Sequence, residues 1–222
     1  MGVYLTRMFG STSIGVYSLA ADSMVIVPKQ IPKTRAEKIG EWLQVEIVRT
    51  NIGGSVLIGT LLCANSNGII IPHYVRDEEL KAVKSASDVN VTIMEFKRTA
   101  YGNLILANDY GAIVSPELSE AEVRLISDTL GVEAVRGTIA GLPYVGSLAT
   151  ATNRGVLAHP KIREDEAQLL RETLKVQVES GTVNCGVPYV AMGLIANSYG
   201  AVAGLATTGR EMAVISHALG VM

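Results

Sequence analysis

The sequence predicts an α/β protein folded as a closed ring with five-fold pseudosymmetry, in which strands lie inside, helices lie outside and the N-terminal strand closes the ring. Three observations predict this fold: a repeat period of 44 residues, the order of apolar and charged segments within each repeat, and the complementary ends of the chain. The 222 residues are 48% hydrophobic and can bury a sizeable core.

The repeat is marked by proline. Pro28, Pro72, Pro116 and Pro160 are each 44 residues apart, and the next step falls on Gly204. Apolar residues precede every mark, which indicates five copies of one small unit. We therefore expect a single domain of five repeats. Their approximate bounds are 14–57, 58–102, 103–146, 147–192 and 193–222, the last completed by 1–13.

The first element of each unit is a hairpin of two short buried strands. Turn-forming residues stand just before four of the marks, and apolar runs flank them, as at 58–64 and 69–71 around the second turn. Glycine at the end of each turn can adopt the left-handed backbone that tight hairpins need. The predicted hairpin turns are 65–68, 108–111, 152–155 and 197–200.

The second and third elements are an amphipathic helix and another strand. Charged residues are frequent in the segment after each repeat mark, among apolar residues that have helical spacing. The predicted helices are 34–43, 77–86, 117–130, 162–174 and 208–219. A third strand then begins at a valine in every copy: Val45, Val89, Val132, Val176 and Val221.

The two ends of the chain indicate how the units are joined. Val221 opens a third strand with only Met222 left to build it, whereas residues 2–7 form an apolar strand with no unit of their own. Val3 stands 11 residues before Ile14, as Ile47 stands 11 before Ile58. The N-terminal strand should therefore complete the fifth unit, so that the ring has no free sheet edge and stays monomeric. An open array would instead need polar caps.

The charge balance excludes a protein that binds nucleic acid mainly by neutralising phosphates, since 19 Lys and Arg face 21 Asp and Glu. The long uncharged segments 50–75 and 180–209 are interrupted by Asn, Pro and Gly, which argues against a membrane span. Two cysteines without metal-ligand spacing favour a reducing compartment, and we expect a cytoplasmic protein.

Residues that could carry catalysis are few. Cys63 lies in an apolar strand, and His73, His159 and His217 have no metal-ligand spacing. The best enzyme alternative places Cys185, in a glycine-flanked loop, beside His159 as its base. Five-unit α/β rings include guanidine-modifying hydrolases and transferases, but no pair of carboxylates accompanies Cys185 here. We expect no catalytic residue, no metal and no cofactor.

Five segments together resemble a known family. They are residues 58–72, the Gly102 and Asn103 step with 108–110, 157–161, and 181–184 followed by Asn197. The chain resembles the archaeal translation initiation factor 6 family, which prevents association of the ribosomal subunits. The resemblance implies the same five-unit ring, the pentein or five-bladed α/β propeller. It also implies a non-catalytic protein that binds the intersubunit face of the large subunit and blocks the small subunit sterically.

The resemblance also implies partners. In the family the docking face involves ribosomal protein L14, with ribosomal protein L24e and the sarcin-ricin loop of the large rRNA nearby. A ring of net charge −2 can dock on a basic ribosomal protein. Thr60 and Cys185 stand where eukaryotic relatives tend to have arginine, so contacts made there by a basic side chain do not carry over.

The predicted ribosome-binding residues lie on one rim of the ring, where loops lead into the first hairpin strand. Tyrosines among small residues are typical of protein interfaces, and we favour that interpretation for the rim. The alternative is that the tyrosines cap the core and keep their hydroxyls in contact with water. The candidates are Gly15, Tyr17, Gly59, Thr60, Tyr101, Asn103, Tyr144, Ser147, Tyr189 and Gly193. A ring-shaped scaffold for another protein partner stays a further alternative.

Overall fold

The computed structural model describes residues 2–85 and 89–221, which form five three-stranded sheets. Each sheet holds an inner strand antiparallel to a middle strand, and an outer strand parallel to the middle one. The inner strands are β2 (Leu19–Ala20), β5 (Cys63–Ala64), β8 (Ile105–Ala107), β11 (Ala149–Ala151) and β14 (Leu194–Ala196). The middle strands are β3 (Met24–Val27), β6 (Gly68–Pro72), β9 (Ala112–Val114), β12 (Val156–Ala158) and β15 (Ala201–Gly204). The outer strands are β4 (Glu46–Arg49), β7 (Asn90–Met94), β10 (Ala134–Arg136), β13 (Val178–Ser180) and β1 (Val3–Thr6).

The helices are of two kinds. Long helices connect middle to outer strands on the outside, and single helical turns precede the inner strands. The long helices are α2 (Lys33–Leu43), α4 (Asp77–Ser85), α6 (Glu120–Leu130), α8 (Glu164–Leu174) and α10 (Gly209–Leu219). The helical turns are α1 (Ile14–Tyr17), α3 (Ile58–Leu61), α5 (Tyr101–Leu104), α7 (Val145–Leu148) and α9 (Val190–Gly193).

The ring closes through the N-terminal strand, as the ends of the chain predict. Each inner strand contacts the next in a cyclic order that returns from β14 to β2. Strand β1 pairs in parallel with β15, and its register places Val3 opposite Ala201 and Thr6 opposite Gly204. Val221 packs in one buried cluster with Val3 and Leu5. The fifth sheet is therefore built from both ends of the chain. The prediction that the ring has no free sheet edge was wrong: among the described residues each outer strand pairs with its middle strand alone, because no strand pairing joins one sheet to the next.

The core consists of five buried clusters that interlock neighbouring units. In the cluster that closes the ring, Ile195 and Val202 of the fifth sheet pack against Ile39 and Leu43 of α2, which belongs to the first unit. The other four long helices likewise pack in clusters that include strand residues of the preceding sheet. Each unit therefore needs its neighbour to bury its apolar surface.

The apolar run 58–64 is not a continuous strand, and that prediction was wrong. Its first half forms helical turn α3, and only Cys63 and Ala64 pair with β6. The five turns contact one another around the ring axis. Extended strands would carry the chain along this axis, whereas a compact turn lets five backbones converge at one level.

Third strands begin one or two residues later than the predicted valines where the structure describes both. Val45, Val132 and Val221 each donate a backbone N–H to the carbonyl five residues earlier, after a left-handed residue ends the helix. This is the hydrogen-bond pattern of a Schellman cap, whose last residue packs back onto the helix. At these three positions the valine therefore ends a helix rather than starting a strand. The predicted helix end at Ala86 lies outside the described residues.

Candidate functional site

The five helical turns form the centre of one face of the ring. Their second residues are Gly15, Gly59, Gly102, Gly146 and Ala191. A β-carbon on Gly15 would lie 1.9 Å from the carbonyl oxygen of Ala191, so these turns pack backbone against backbone. We call this side, with the β-turn loops that precede the turns, the turn face. The loops are closed by isolated bridges between residues 8 and 11, 52 and 55, 139 and 142, and 183 and 187.

The turns surround a central depression of about 470 Å³. The third residue of every turn lines it, together with two tyrosines that precede turns. These residues are Val16, Thr60, Asn103, Ser147 and Met192, with Tyr144 and Tyr189. The lining therefore has a polar sector, formed by three neighbouring turns, and an apolar sector opposite it.

Hydrogen bonds fix the polar side chains of the depression. The hydroxyl of Ser147 donates to Oδ1 of Asn103 over 2.9 Å, and the hydroxyl of Thr60 donates to the carbonyl of Leu57 over 2.7 Å. The first bond crosses from α7 to α5 and so links two units. The second lies within one turn and directs the Thr60 hydroxyl back toward the backbone.

Buried glutamates hold three of the four loops around the depression. Glu211, at the start of α10, accepts the N–H groups of Cys185 and Gly186 over 3.0 and 2.9 Å. Glu79 does the same for Gly53 and Gly54, at 2.6 and 2.8 Å. Glu166 accepts from the third loop at 2.8 and 2.9 Å.

The environment of Glu211 and Glu166 favours the carboxylate. Burial alone would raise the pKa of Glu211, but hydrogen bonds from Thr208, Gly186 and Thr182 outweigh it and lower that pKa to about 2. The pKa of Glu166 is lowered in the same way, against burial, by bonds from Arg163, Thr138 and its loop. The two loops that these carboxylates hold are therefore fixed by charged, hydrogen-bonded groups at neutral pH.

The turn face exposes apolar side chains close to the depression. Tyr144 is 48% exposed and Tyr189 is 41% exposed, and both line it. Phe9 and Leu142 are exposed on the loops, and Met192 on turn α9. A cluster of exposed apolar side chains is typical of a surface that contacts a partner. This face has the composition of a protein-docking surface, with aromatic residues and Met at its centre.

The structure brings most of the predicted rim residues together. Seven of them line the depression: Gly15, Gly59, Thr60, Asn103, Tyr144, Ser147 and Tyr189. Tyr17 lies farther out, half-exposed, with its ring edge-on to Phe9 at a centroid distance of 5.1 Å. No binding partner is present, so the role of these residues in ribosome binding stays a prediction.

The predictions that Tyr101 and Gly193 lie on the exposed rim were wrong. Tyr101 is 0% exposed and its hydroxyl lies 3.4 Å from the Glu122 carboxylate. It is the first residue of its turn and points into the core, whereas Tyr144 and Tyr189 precede theirs and point outward. Gly193 is buried at the end of α9 against the side chain of Asn184. The residue equivalent to Gly15 and Gly59 in the fifth unit is Ala191.

Cys185 and His159 do not form a nucleophile–base pair. Cys185 is exposed, and within residues 2–85 and 89–221 its thiol makes no hydrogen bond or ion pair. His159 is buried, its Nδ1 accepts the N–H of Lys161 over 3.1 Å, and its ring lies edge-on to Tyr189. Burial and the charge of Lys161 lower the pKa of His159.

Cys63 and His217, two further candidates, occupy an ordinary core position and an ordinary surface position. Burial raises the pKa of Cys63 to about 12, as expected of a small core residue. The side chain of His217 is 77% exposed on α10, with Nε2 3.8 Å from Glu179. Among the described residues, no group of three or more His, Cys, Asp or Glu could hold a metal ion. Along the same residues, no helix is both long and apolar enough to cross a membrane.

The predicted hairpin turns lie on the opposite side of the ring, which we call the hairpin face. Their final glycines were expected to adopt a left-handed backbone, and that expectation was wrong, because none of Gly68, Gly111, Gly155 and Gly200 has a positive φ. Glycine is needed there for space: a β-carbon on Gly68 would lie 2.1 Å from the carbonyl oxygen of Thr129.

A set of buried asparagines on the hairpin face was not predicted from the sequence. The predicted hairpin turns are present, but their first residues do more than turn the chain. The side-chain amide of Asn65 donates to the carbonyls of Asn108 and Leu130 over 3.1 and 2.9 Å. Asn108 and Asn197 bind the next unit in the same way. Asparagine recurs at the first position of three of the four predicted turns. That recurrence was the available signal, but it does not show where the side chain points.

Comparison with known proteins gives one consistent family. Residues 3–218 match the model of the eIF-6 family. The chain is 50% identical over 215 residues to a translation initiation factor 6 of Pyrococcus furiosus, and the match covers 95% of each chain. It is 44% identical over 218 residues to the translation initiation factor 6 of Cenarchaeum symbiosum, covering 98% of this chain and 99% of that one.

Among solved structures, the chain is similar to a mutant DDAH from Pseudomonas aeruginosa complexed with citrulline. The TM-score is 0.47 and the sequence identity is 11%. The match covers 76% of this chain and 68% of the other.

Proposed function

The chain belongs to the eIF-6 family, and from this premise we propose that it binds the intersubunit face of the large ribosomal subunit and prevents the small subunit from joining. Its relatives carry the name translation initiation factor 6, which supports a role in translation initiation. The finer proposal rests on the resemblance together with one structural observation, the exposed apolar turn face around the central depression.

The turn face is the surface we propose for docking. Tyr144, Tyr189 and Met192 present apolar area beside the depression, and hydrogen-bonded glutamates fix the loops around it. A surface that is already rigid loses little conformational entropy when it binds. The hairpin face would then point away from the large subunit.

The proposed partners are ribosomal protein L14, with ribosomal protein L24e and the sarcin-ricin loop of the large rRNA beside it. A chain of net charge −2 gains little from bare phosphate, whereas a basic ribosomal protein offers it a complementary field. Apolar contacts at the centre of the docking surface fit the usual anatomy of protein interfaces.

The proposed mechanism is steric and needs no reaction. The ring is closed and its units interlock, so it can act as a rigid body that occupies the space required by the small subunit. Inhibition should then depend only on occupancy of the large subunit. Since ribosomal subunits join in the cytoplasm, the proposal places the protein there.

Sedimentation through sucrose gradients tests this function directly. The purified protein is mixed with purified archaeal large subunits, then challenged with small subunits under conditions that favour joining. We expect the protein to co-migrate with the large subunit and to abolish joining once one molecule is bound per large subunit. Failure to co-migrate would remove the proposal, and so would co-migration that leaves joining unchanged.

A further inference from the structure

We infer that Ser147 is a positioning residue, which holds the side-chain amide of Asn103 so that its N–H groups donate to an acceptor on the partner inside the central depression. The inference rests on the proposed docking of the turn face. It adds a role for Ser147 and a chemical requirement on the partner, namely a carbonyl or carboxylate oxygen that enters the depression.

The hydrogen bond between the two residues fixes the orientation of the amide. The Ser147 hydroxyl donates to Oδ1 of Asn103 over 2.9 Å, so Oδ1 is occupied and Nδ2 is the end left for a partner. Among residues 2–85 and 89–221, Nδ2 of Asn103 donates to no protein atom. Asn103 is only half-buried, so solvent can reach this group in the free protein and a partner can take the place of that solvent.

The neighbouring polar side chains cannot supply the same donor. The proton of the Thr60 hydroxyl is bound by the carbonyl of Leu57, and that of Ser147 is bound by Asn103. The other two third positions of the turns, Val16 and Met192, carry no donor. Of these five positions, only Asn103 therefore presents unengaged side-chain N–H groups to the depression.

The pairing also spans two units of the ring. Asn103 lies on α5 and Ser147 on α7, and these turns contact each other. An asparagine side chain without this contact would rotate about its side-chain torsions, and a partner would have to order it on binding. Ser147 removes that cost in advance, which is why its effect on binding should act through Asn103.

Variants separate the positioning role from a structural one. Asn103→Asp keeps an oxygen that accepts from Ser147 but has no N–H to donate. We expect it to weaken binding to purified large subunits about tenfold, as does Asn103→Ala, because one donor to a buried acceptor is lost. Ser147→Ala should weaken binding about threefold, and Ser147→Thr, which restores a hydroxyl, should return it toward the wild type.

A double-mutant cycle decides whether Ser147 acts through Asn103. In the Asn103→Ala background, Ser147→Ala should have no further effect on affinity. Thermal unfolding of each variant checks that the ring is intact. Unchanged binding of Ser147→Ala or of Asn103→Asp would overturn the inference, and so would a full threefold loss from Ser147→Ala in the Asn103→Ala background. Absence of binding by the wild-type protein would instead overturn the proposed function.

Discussion

Gly59 packs so closely on the backbone of Gly15 that a β-carbon on Gly59 would lie 1.8 Å from the Gly15 carbonyl oxygen. The same approach recurs from Gly102 to Gly59 and from Gly146 to Gly102, at 2.0 and 2.1 Å. The obstructing atoms belong to the backbone and cannot rotate aside as a side chain can. The convergence of turns that forms the depression therefore requires glycine at these positions.

We expect Gly59→Ala to lower the free energy of unfolding by about 3 kcal/mol, because the added methyl group forces two helical turns apart. Urea denaturation followed by circular dichroism measures the change. Gly209→Ala is the matched control: no heavy atom lies within 4 Å of its added β-carbon, and it stands at the start of α10. This control should be neutral or stabilise by about 0.5 kcal/mol. Equal effects of the two substitutions would contradict the packing described here.

Acid should weaken the ring through Glu211. The pKa of Glu211 is about 2 in the folded protein, against an ordinary value of 4.5, so folding favours its carboxylate. A group whose folded pKa is lowered contributes stability above its unfolded pKa and loses it as pH falls through the folded value. The contribution should therefore be complete at pH 7 and decline from about pH 4.5 toward pH 2.

The variant Glu211→Gln tests this linkage. It should unfold at a lower temperature at pH 7, with a loss of about 2 kcal/mol, because an amide accepts the loop N–H groups less strongly than a carboxylate. Between pH 4.5 and 2 its stability should fall less steeply than that of the wild type. Glu41→Gln, on the exposed side of α2, is the control and should follow the wild-type profile. Parallel profiles for the wild type and Glu211→Gln would contradict the assignment.

The ring could be predicted because the sequence repeats with a regular period and the five units are alike. Spacing alone reveals the repeat marks at Pro28 and Pro72, and also the N-terminal strand at Val3 that completes the fifth unit. The depression could be located approximately, but the orientation of single side chains could not. Tyr101 is the first residue of one helical turn and Tyr144 directly precedes another, and this shift of one position buries the first and exposes the second.

Contacts between units could not be predicted from the sequence, for a similar physical reason. The bond from Ser147 to Asn103 spans 44 residues, and nothing local distinguishes these side chains from solvated ones. The amide of Asn197 reaches the carbonyl of Leu43 across the ring closure. Such bonds exist only once the ring has formed, so the repeat pattern of the sequence does not reveal them.

The tyrosines should separate docking from folding. We expect Tyr189→Ala to weaken binding to the large subunit at least fivefold with little change in stability, because its ring is 41% exposed beside the depression. Tyr110→Ala is the matched control, since Tyr110 is 52% exposed at a hairpin turn on the other face. It should bind as the wild type does. A larger loss from Tyr110→Ala would place the docking surface on the hairpin face.

Tyr101 should behave in the opposite way. Its ring is fully buried, so Tyr101→Ala should lower the free energy of unfolding by about 4 kcal/mol. Burial and the nearby Glu122 carboxylate raise the pKa of Tyr101, which keeps its hydroxyl protonated across the physiological range. Tyr101→Phe keeps the ring and should leave large-subunit binding unchanged. A selective loss of binding in Tyr101→Phe would show that its hydroxyl serves the partner and not the core.

Ring closure can be followed with the chain's single tryptophan. Trp42, on α2, stacks on Tyr4 of β1 with ring centroids 4.9 Å apart, so its emission reports whether the N-terminal strand is in place. Deleting residues 2–6 should shift Trp42 emission to longer wavelength. It should also leave the edge of β15 unpaired, so that sedimentation detects dimers or larger species where the wild type is expected to be monomeric. Tyr4→Phe keeps the stacked ring and serves as the control. Unchanged emission and sedimentation of the truncated chain would contradict this role of β1, since within residues 2–85 and 89–221 β15 pairs only with β1 and β14.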